Sequence, residues 1–268
     1  MAHTIDLNAD VGEASTPDWA ASEAAILRYV SSVNIACGGH AGDMQTMTDT
    51  AKASRAKNIT IGAHPSYPDR KNFGRLDLIL GEDMTAADLS ESLYEQVCRL
   101  MDASQGEVKY VKPHGALYNQ AVKTAKLADL FGDIILRVDP RLMWLGAPRS
   151  EMSRAAQDRD IGYAGEGFID RQYNDDGQLT PRALDGAVIS DHDARMAQAI
   201  RLAKDQCVIS RSGKTLPLKA GSLCVHGDSA GAVDTARLTR AALEQCGCLL
   251  YTSPSPRDQR GSRMPSSA

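Results

Sequence analysis

Six short segments carry side chains able to do acid–base, ion-binding or nucleophilic work. IDLNADVGE (5–13) holds Asp6, Asn8, Asp10 and Glu13. VNIACGGHAGD (33–43) holds Asn34, His40 and Asp43, and IGAHPSYPDRKNFGR (61–75) holds His64 and Arg75. VKPHGALYN (111–119) holds Lys112, His114 and Asn119. EGFIDRQYNDDGQLTPR (166–182) holds Glu166, Asp170 and Arg171, and LCVHGD (223–228) holds His226 and Asp228. Carboxylates and histidines set close together serve proton transfer or hold a cation. Lys112, in an otherwise apolar run, is costly to bury unless it faces anions. Arg75 and Arg171 suit bidentate contact with a carboxylate or phosphate. His64-Pro65 and Lys112-Pro113 place two of these groups before proline, which favours extended, direction-fixing backbone. Each motif alone also reads as an ordinary charged turn or surface ion pair; their common position is what separates them from that.

That position is the end of a strand. Thr4–Leu7, Val33–Ala36, Ile59–Ala63, Val108–Val111, Leu142–Leu145, Ile161–Ala164 and Leu223–His226 read as strands. Helical patterns lie between them: one beginning at Ala25–Tyr29, then 42–57, 85–101, 124–137, 149–159, 191–204 and 230–245. Thr85 with Asp88 gives the third a capping-box-like start. The stretch 211–219 reads as a hairpin-like insertion before the last strand. Strand–helix alternation means βα units and a parallel sheet. Sites gathered at several strand ends favour a barrel over an open sheet.

The chain has 268 residues, 43% hydrophobic and 24% charged, with a formal net charge of −4. Those values exclude a disordered or collagen-like chain and offer no basic surface for nucleic acid or anionic lipid. The six cysteines are scattered and form no CxxC pair or disulfide framework. No secretion signal or run of about 18 apolar residues occurs, so a cytoplasmic setting is the expectation. Ser212-Gly213-Lys214-Thr215 lacks the upstream glycine of a phosphate-binding P-loop. Thr252–Ala268 is rich in Ser, Pro and Arg and cannot bury a core. The expected organisation is one domain over 1–247 and a disordered, non-native tail over 248–268.

Together and in this order, the six segments resemble the LamB/YcsF family. Two positions depart from its usual pattern: Gly39 stands where a bulky Phe is common, and 166–171 reads EGFIDR. The resemblance implies a seven-stranded β/α barrel of the glycoside hydrolase/deacetylase type. It implies the reaction 5-oxo-L-proline + ATP + 2 H2O → L-glutamate + ADP + phosphate, carried out with two partner subunits, B and C. ATP and Mg2+ would be handled by the complex, with no tightly bound cofactor on this chain. Asp10, His40, His64, Lys112, His114, Asp170 and His226 are then the expected catalytic residues. Asp6, Asn8, Asn34, Arg75, Asn119, Glu166, Arg171 and Asp228 are the expected substrate- or phosphate-binding residues. Two other readings stay open. One is a metal-dependent deacetylase-like hydrolase acting alone, with Asp10, His40, His64 and His114 around the ion. The other is a non-catalytic chain that only presents the lactam to its partners.

Overall fold

Residues along the first strand, β1 (His3–Val11), alternate in chemistry. Ile5, Leu7, Ala9 and Val11 join the main apolar core, while Asp6, Asn8 and Asp10 are also buried, on the other side. The strand outruns the expected 4–7 because its inward polar groups all find partners in neighbouring strands. Asp6 accepts hydrogen bonds from Ser31 (2.6 Å), Ser32 (2.7 Å) and Ser222, and Asn8 donates to Ser222 at 2.7 Å. The computed structural model describes residues 3–182, 184–225 and 231–250.

Six further parallel strands follow: β2 (Ser32–Ala36), β3 (Thr60–His64), β4 (Val108–Val111), β5 (Met143–Gly146), β6 (Tyr163–Phe168) and, later, β9 (Ser222–Val225). Each pairs with the next, and β9 returns to β1 at Asp6↔Ser222 through Ala9↔Val225, closing a seven-stranded barrel. Between β6 and β9 lies the expected hairpin, β7 (Cys207–Ile209) with β8 (Thr215–Pro217). The SGKT motif falls in and beside its turn, where Lys214 pairs with Asp175 at 2.6 Å. Inside the barrel, Tyr110, Met143, Leu145 and Ala164 form a separate apolar cluster. Gly62 leaves room for the Tyr110 ring, whose hydroxyl donates to Asn34 Oδ1 at 2.7 Å.

Helices α1 (Pro17–Ile26), α2 (Met44–Arg55), α3 (Ala86–Ala103), α4 (Gly115–Ala121), α5 (Ala125–Val138), α6 (Glu151–Asp158), α7 (His192–Ile200) and α8 (Ala232–Gln245) complete the chain. Side-chain caps start several of them, among them Asp43, Thr85, Ser150 and Asp191. The helix expected to begin near Ala25 instead ends at Ile26. Thr16 caps it and Pro17 occupies its first turn, a stronger start signal than the later apolar residues. After α7 the backbone makes one π turn over Arg201–Asp205. Among the described residues, no helix is long and apolar enough to cross a membrane.

The domain boundary expected at Gly247 is too early. Cys248–Leu250 forms β10, parallel to β1 in the register His3↔Cys248 to Ile5↔Leu250. It occupies the edge of β1 just before β9 takes over, and Cys248 is buried. Residues 251–268 of the expected tail lie outside the described residues. Ending the chain after Gly247 is expected to lower Tm relative to a chain ending after Leu250, by about 2–4 °C per kcal/mol of lost pairing and burial. Scanning calorimetry of the two truncations checks this, and equal Tm values would show that β10 contributes nothing.

Candidate functional site

The strand exits at one end of the barrel are tied together. Lys112 N–H donates to Ala63 carbonyl and His114 N–H to Pro65 carbonyl, both at 2.9 Å, so the two proline-containing exits run side by side. Gly115 adopts φ +56, and a Cβ there would press on the Gly74 carbonyl. That carbonyl accepts from Ala116 N–H at 2.9 Å, folding the loop after β3 against the start of α4. Beside these exits lies a cavity of about 690 Å³ whose walls include Asp10, His64, Lys112, His114, Glu166 and Arg171.

Lys112 is the centre of charge. Its Nζ lies 2.8 Å from Asp10 Oδ1, 2.8 Å from Glu166 Oε1 and 3.3 Å from Cys224 Sγ. The residue is 2% exposed, and both carboxylates are buried with it. Burial alone would drive the ammonium toward its neutral form. The Asp10 carboxylate, helped by Cys224 and Glu166, outweighs that and holds its pKa well above the usual lysine range. Asp10 Oδ1 also accepts from Asn34 Nδ2 at 2.7 Å, which leaves Oδ2 turned toward His64 Nε2 at 3.4 Å.

The histidines form a second cluster. His64 Nδ1 donates to the Lys112 carbonyl at 2.8 Å, and His114 Nε2 donates to the Phe73 carbonyl at 3.0 Å. The remaining nitrogens, His64 Nε2 and His114 Nδ1, face each other at 3.0 Å. His40 stacks on His114 with ring centroids 3.6 Å apart, and its Nε2 lies 2.8 Å from Glu13 Oε1. Burial, then neighbouring histidine charge, depresses the pKa values of both His40 and His114. Glu13, His40, His64 and His114 each bring one metal-ligand-type atom, all within 4.8 Å of one another.

Cations gather on the wall formed by the loop after β6. Arg171 donates to the Thr180 carbonyl at 2.7 Å, while its buried Nε has no hydrogen-bond partner among the described residues. Burial, and then Arg182 nearby, lower its pKa. Arg75 and Asn119 also line the cavity, with Arg75 over the Phe73 ring at 4.8 Å.

The described residues of the expected site therefore divide in three. Asp10, His64, Lys112, His114, Glu166, Arg75, Asn119 and Arg171 line one cavity. Asp6, Asn8 and Asn34 do not; they are committed to the hydrogen-bond ladder inside the barrel, which corrects their assignment to substrate. His40 and Asp170 are buried and are not among the lining residues. His226 and Asp228 lie outside the described residues.

Other groups carried weaker sequence signals. Glu13 follows Gly12, whose φ of +75 ends the strand, so strand alternation cannot place it. Glu23, on α1, accepts the Gly12 and Glu13 backbone N–H groups at 2.8 and 3.0 Å and so fixes that turn. Burial raises the Glu23 pKa to about 7. Tyr118, Cys224 and Arg182 lie inside the quoted segments, but their residue types alone do not mark them as site residues. At Gly39, any Cβ would collide with Gln96 Oε1 and Ser66 Oγ, so the Gln96–Ser66 hydrogen bonds fill the space a larger residue would need.

Comparisons with known proteins bear on the fold and the family. A domain of a multidomain xylanase from the hindgut metagenome of Trinervitermes trinervoides superposes with a TM-score of 0.54 at 13% identity, covering 98% of this chain and 93% of that one, a likeness of fold alone. The crystal structure of the lactam utilization protein from Thermus thermophilus superposes with a TM-score of 0.81 at 30% identity, covering 93% and 99%. The A subunit of 5-oxoprolinase from Clostridium beijerinckii is 37% identical over 246 residues, 91% of this chain and 95% of the relative. The LamB/YcsF family model matches residues 5–256. By that match, and by the relative's identity and coverage, this chain belongs to the LamB/YcsF family.

Proposed function

We propose that this chain is the A subunit of an ATP-dependent 5-oxoprolinase and hydrolyses a phosphorylated lactam produced with partner subunits B and C. The observation that carries the proposal is the buried Lys112, set between Asp10 and Glu166 in the wall of a cavity that also presents Arg171. The Clostridium beijerinckii relative, named for 5-oxoprolinase, supports the substrate class.

A γ-lactam is an unstrained amide and resists water. Transfer of a phosphoryl group from ATP to its carbonyl oxygen gives an imidate-like ester with an electrophilic carbon. One water adds to that carbon, the ring C–N bond breaks with a proton delivered to nitrogen, and a second water releases phosphate, leaving glutamate. The site then needs a base for water, cations for the phosphate and a proton for nitrogen. Asp10 serves as the base. Lys112 and Arg171, which line the cavity, stabilise the anionic groups. His64 and His114 line the cavity beside Asp10, which returns the proton it takes from water to the lactam nitrogen. ATP and Mg2+ are held by the partners, and an ATP-consuming reaction of this kind belongs in the cytoplasm.

Reconstitution with the two partner subunits tests the proposal. Glutamate and ADP are expected in equal amounts from 5-oxoproline only when all three chains are present. Glutamate formation by the partners alone would overturn it. So would formation of a phosphorylated lactam that this chain binds but does not hydrolyse, or lactam-independent deacetylation by this chain without ATP.

A further inference from the structure

We infer that Glu13, His64 and His114 form a binding site for one borderline divalent cation of the Zn2+ class beside the cavity, which His64 and His114 line. His64 Nδ1 and His114 Nε2 each point at a backbone carbonyl, which can only accept, so both of these nitrogens carry hydrogen. In neutral rings the other two nitrogens, His64 Nε2 and His114 Nδ1, are then both lone pairs, yet they face each other at 3.0 Å. Two lone pairs at that distance repel unless an electrophile lies between them. Backbone carbonyls that fix the tautomer of a ring are also the usual outer partners of metal-bound histidine.

The spacing brackets what an ion needs. Bonds of about 2.0–2.2 Å to nitrogen and carboxylate oxygen give tetrahedral ligand–ligand edges of about 3.3–3.6 Å. The three edges here are 3.0 Å (His64 Nε2 to His114 Nδ1), 3.4 Å (His114 Nδ1 to Glu13 Oε1) and 3.9 Å (His64 Nε2 to Glu13 Oε1). The His64 and His114 rings are nearly perpendicular, at 87°, so their lone pairs converge from different directions. His40 belongs to the site in a different role. Its ring is parallel to His114 within 2° at 3.6 Å, so the two cannot both aim in-plane lone pairs at one ion. Its Nε2 instead donates to Glu13 Oε1 and positions that carboxylate. Asp10 Oδ2, 3.4 Å from His64 Nε2, stands beside the fourth position. This set differs from one built on Asp10 and three histidines, and it stands apart from the oxoprolinase reading because it concerns binding alone.

The test uses the full chain without partners, lactam or ATP. After chelator treatment and dialysis, the protein is titrated with Zn2+ by calorimetry and with Co2+ by visible absorption. Expected are one equivalent bound per chain, the intense visible bands of four-coordinate Co2+, and a Zn2+-dependent rise in Tm. His64→Gln and Glu13→Gln should abolish all three readouts, with Tm in the absence of metal reporting whether each variant folds. His40→Asn should weaken binding about 10–100-fold without abolishing it. His192→Ala, on the exposed start of α7, should bind as the parent does. Three results would overturn the inference: no stoichiometric binding, binding retained in His64→Gln, or a metal-insensitive imidazolium signal showing that the His64–His114 pair shares a proton instead.

Discussion

Lys112→Met is expected to cost both fold and activity. The substitution keeps an unbranched apolar chain out to the ε-carbon and removes the ammonium, so Asp10 and Glu166 remain buried with no cation between them. Breaking a buried pair by deleting one partner costs about 3–5 kcal/mol, because the orphaned charge cannot recover its water. At about 2–4 °C per kcal/mol, the Tm should fall by about 6–20 °C. Activity in the reconstituted complex should fall about 10²–10³-fold, the scale for losing one fixed charge-stabilising donor. The pH dependence has a definite sign. The Lys112 pKa is raised in the folded chain, so its contribution is present in full below the ordinary value of 10.5 and is lost only as pH rises through the higher folded value. Physiological pH therefore does not titrate the parent at this group. In the variant two buried carboxylates share the site without a cation, so the folded state takes up protons as pH falls. The Tm gap between parent and variant should be wider at pH 8 than at pH 5. A gap that is equal at both, or a variant as stable as the parent, would show that Lys112 does not neutralise this pair.

The same residues show how much the sequence could say. Lys112 was legible because a cation inside an apolar run must meet anions, and two strand exits offered them. The barrel was legible because chemically capable residues followed nearly every strand. What stayed hidden depended on partners far along the chain. Asp6 and Asn8 look like site residues in IDLNAD, but Ser222, more than 200 positions later, claims both. Nothing local distinguishes a carboxylate that meets hydroxyls from one that meets substrate. Glu13 was lost for a different reason: Gly12 ends the strand geometry, and the turn that carries Glu13 is fixed by Glu23 on the next helix. The end of the domain is hidden because Cys248–Leu250 has no strand pattern of its own and is held by β1, the first strand of the chain.

Asp10→Asn separates chemistry from folding, where Lys112→Met does not. Asp10 Oδ1 accepts from Asn34 Nδ2 at 2.7 Å and from Lys112 Nζ at 2.8 Å. An asparagine with its carbonyl oxygen in that place keeps both hydrogen bonds, and Glu166 still neutralises the lysine. The Tm is therefore expected to stay within a few degrees, since most of the buried network is retained. The second oxygen, 3.4 Å from His64 Nε2, becomes an amide nitrogen that can donate but cannot take a proton. If Asp10 accepts the proton of the attacking water, kcat for glutamate formation should drop about 10²–10⁴-fold, the range for losing a general base. KM for 5-oxoproline should change little, because Arg171 and the rest of the cavity wall are unaltered. Single-turnover analysis should show the phosphorylated lactam accumulating, since its formation needs ATP and the partners while its hydrolysis needs Asp10. Unchanged kcat in a folded variant would remove Asp10 from the chemistry. A rise in KM with kcat preserved would assign it to binding instead. Paired with Lys112→Met, the variant separates the two roles of one ion pair: a cation that keeps the site folded, and a carboxylate whose outer oxygen meets the proton.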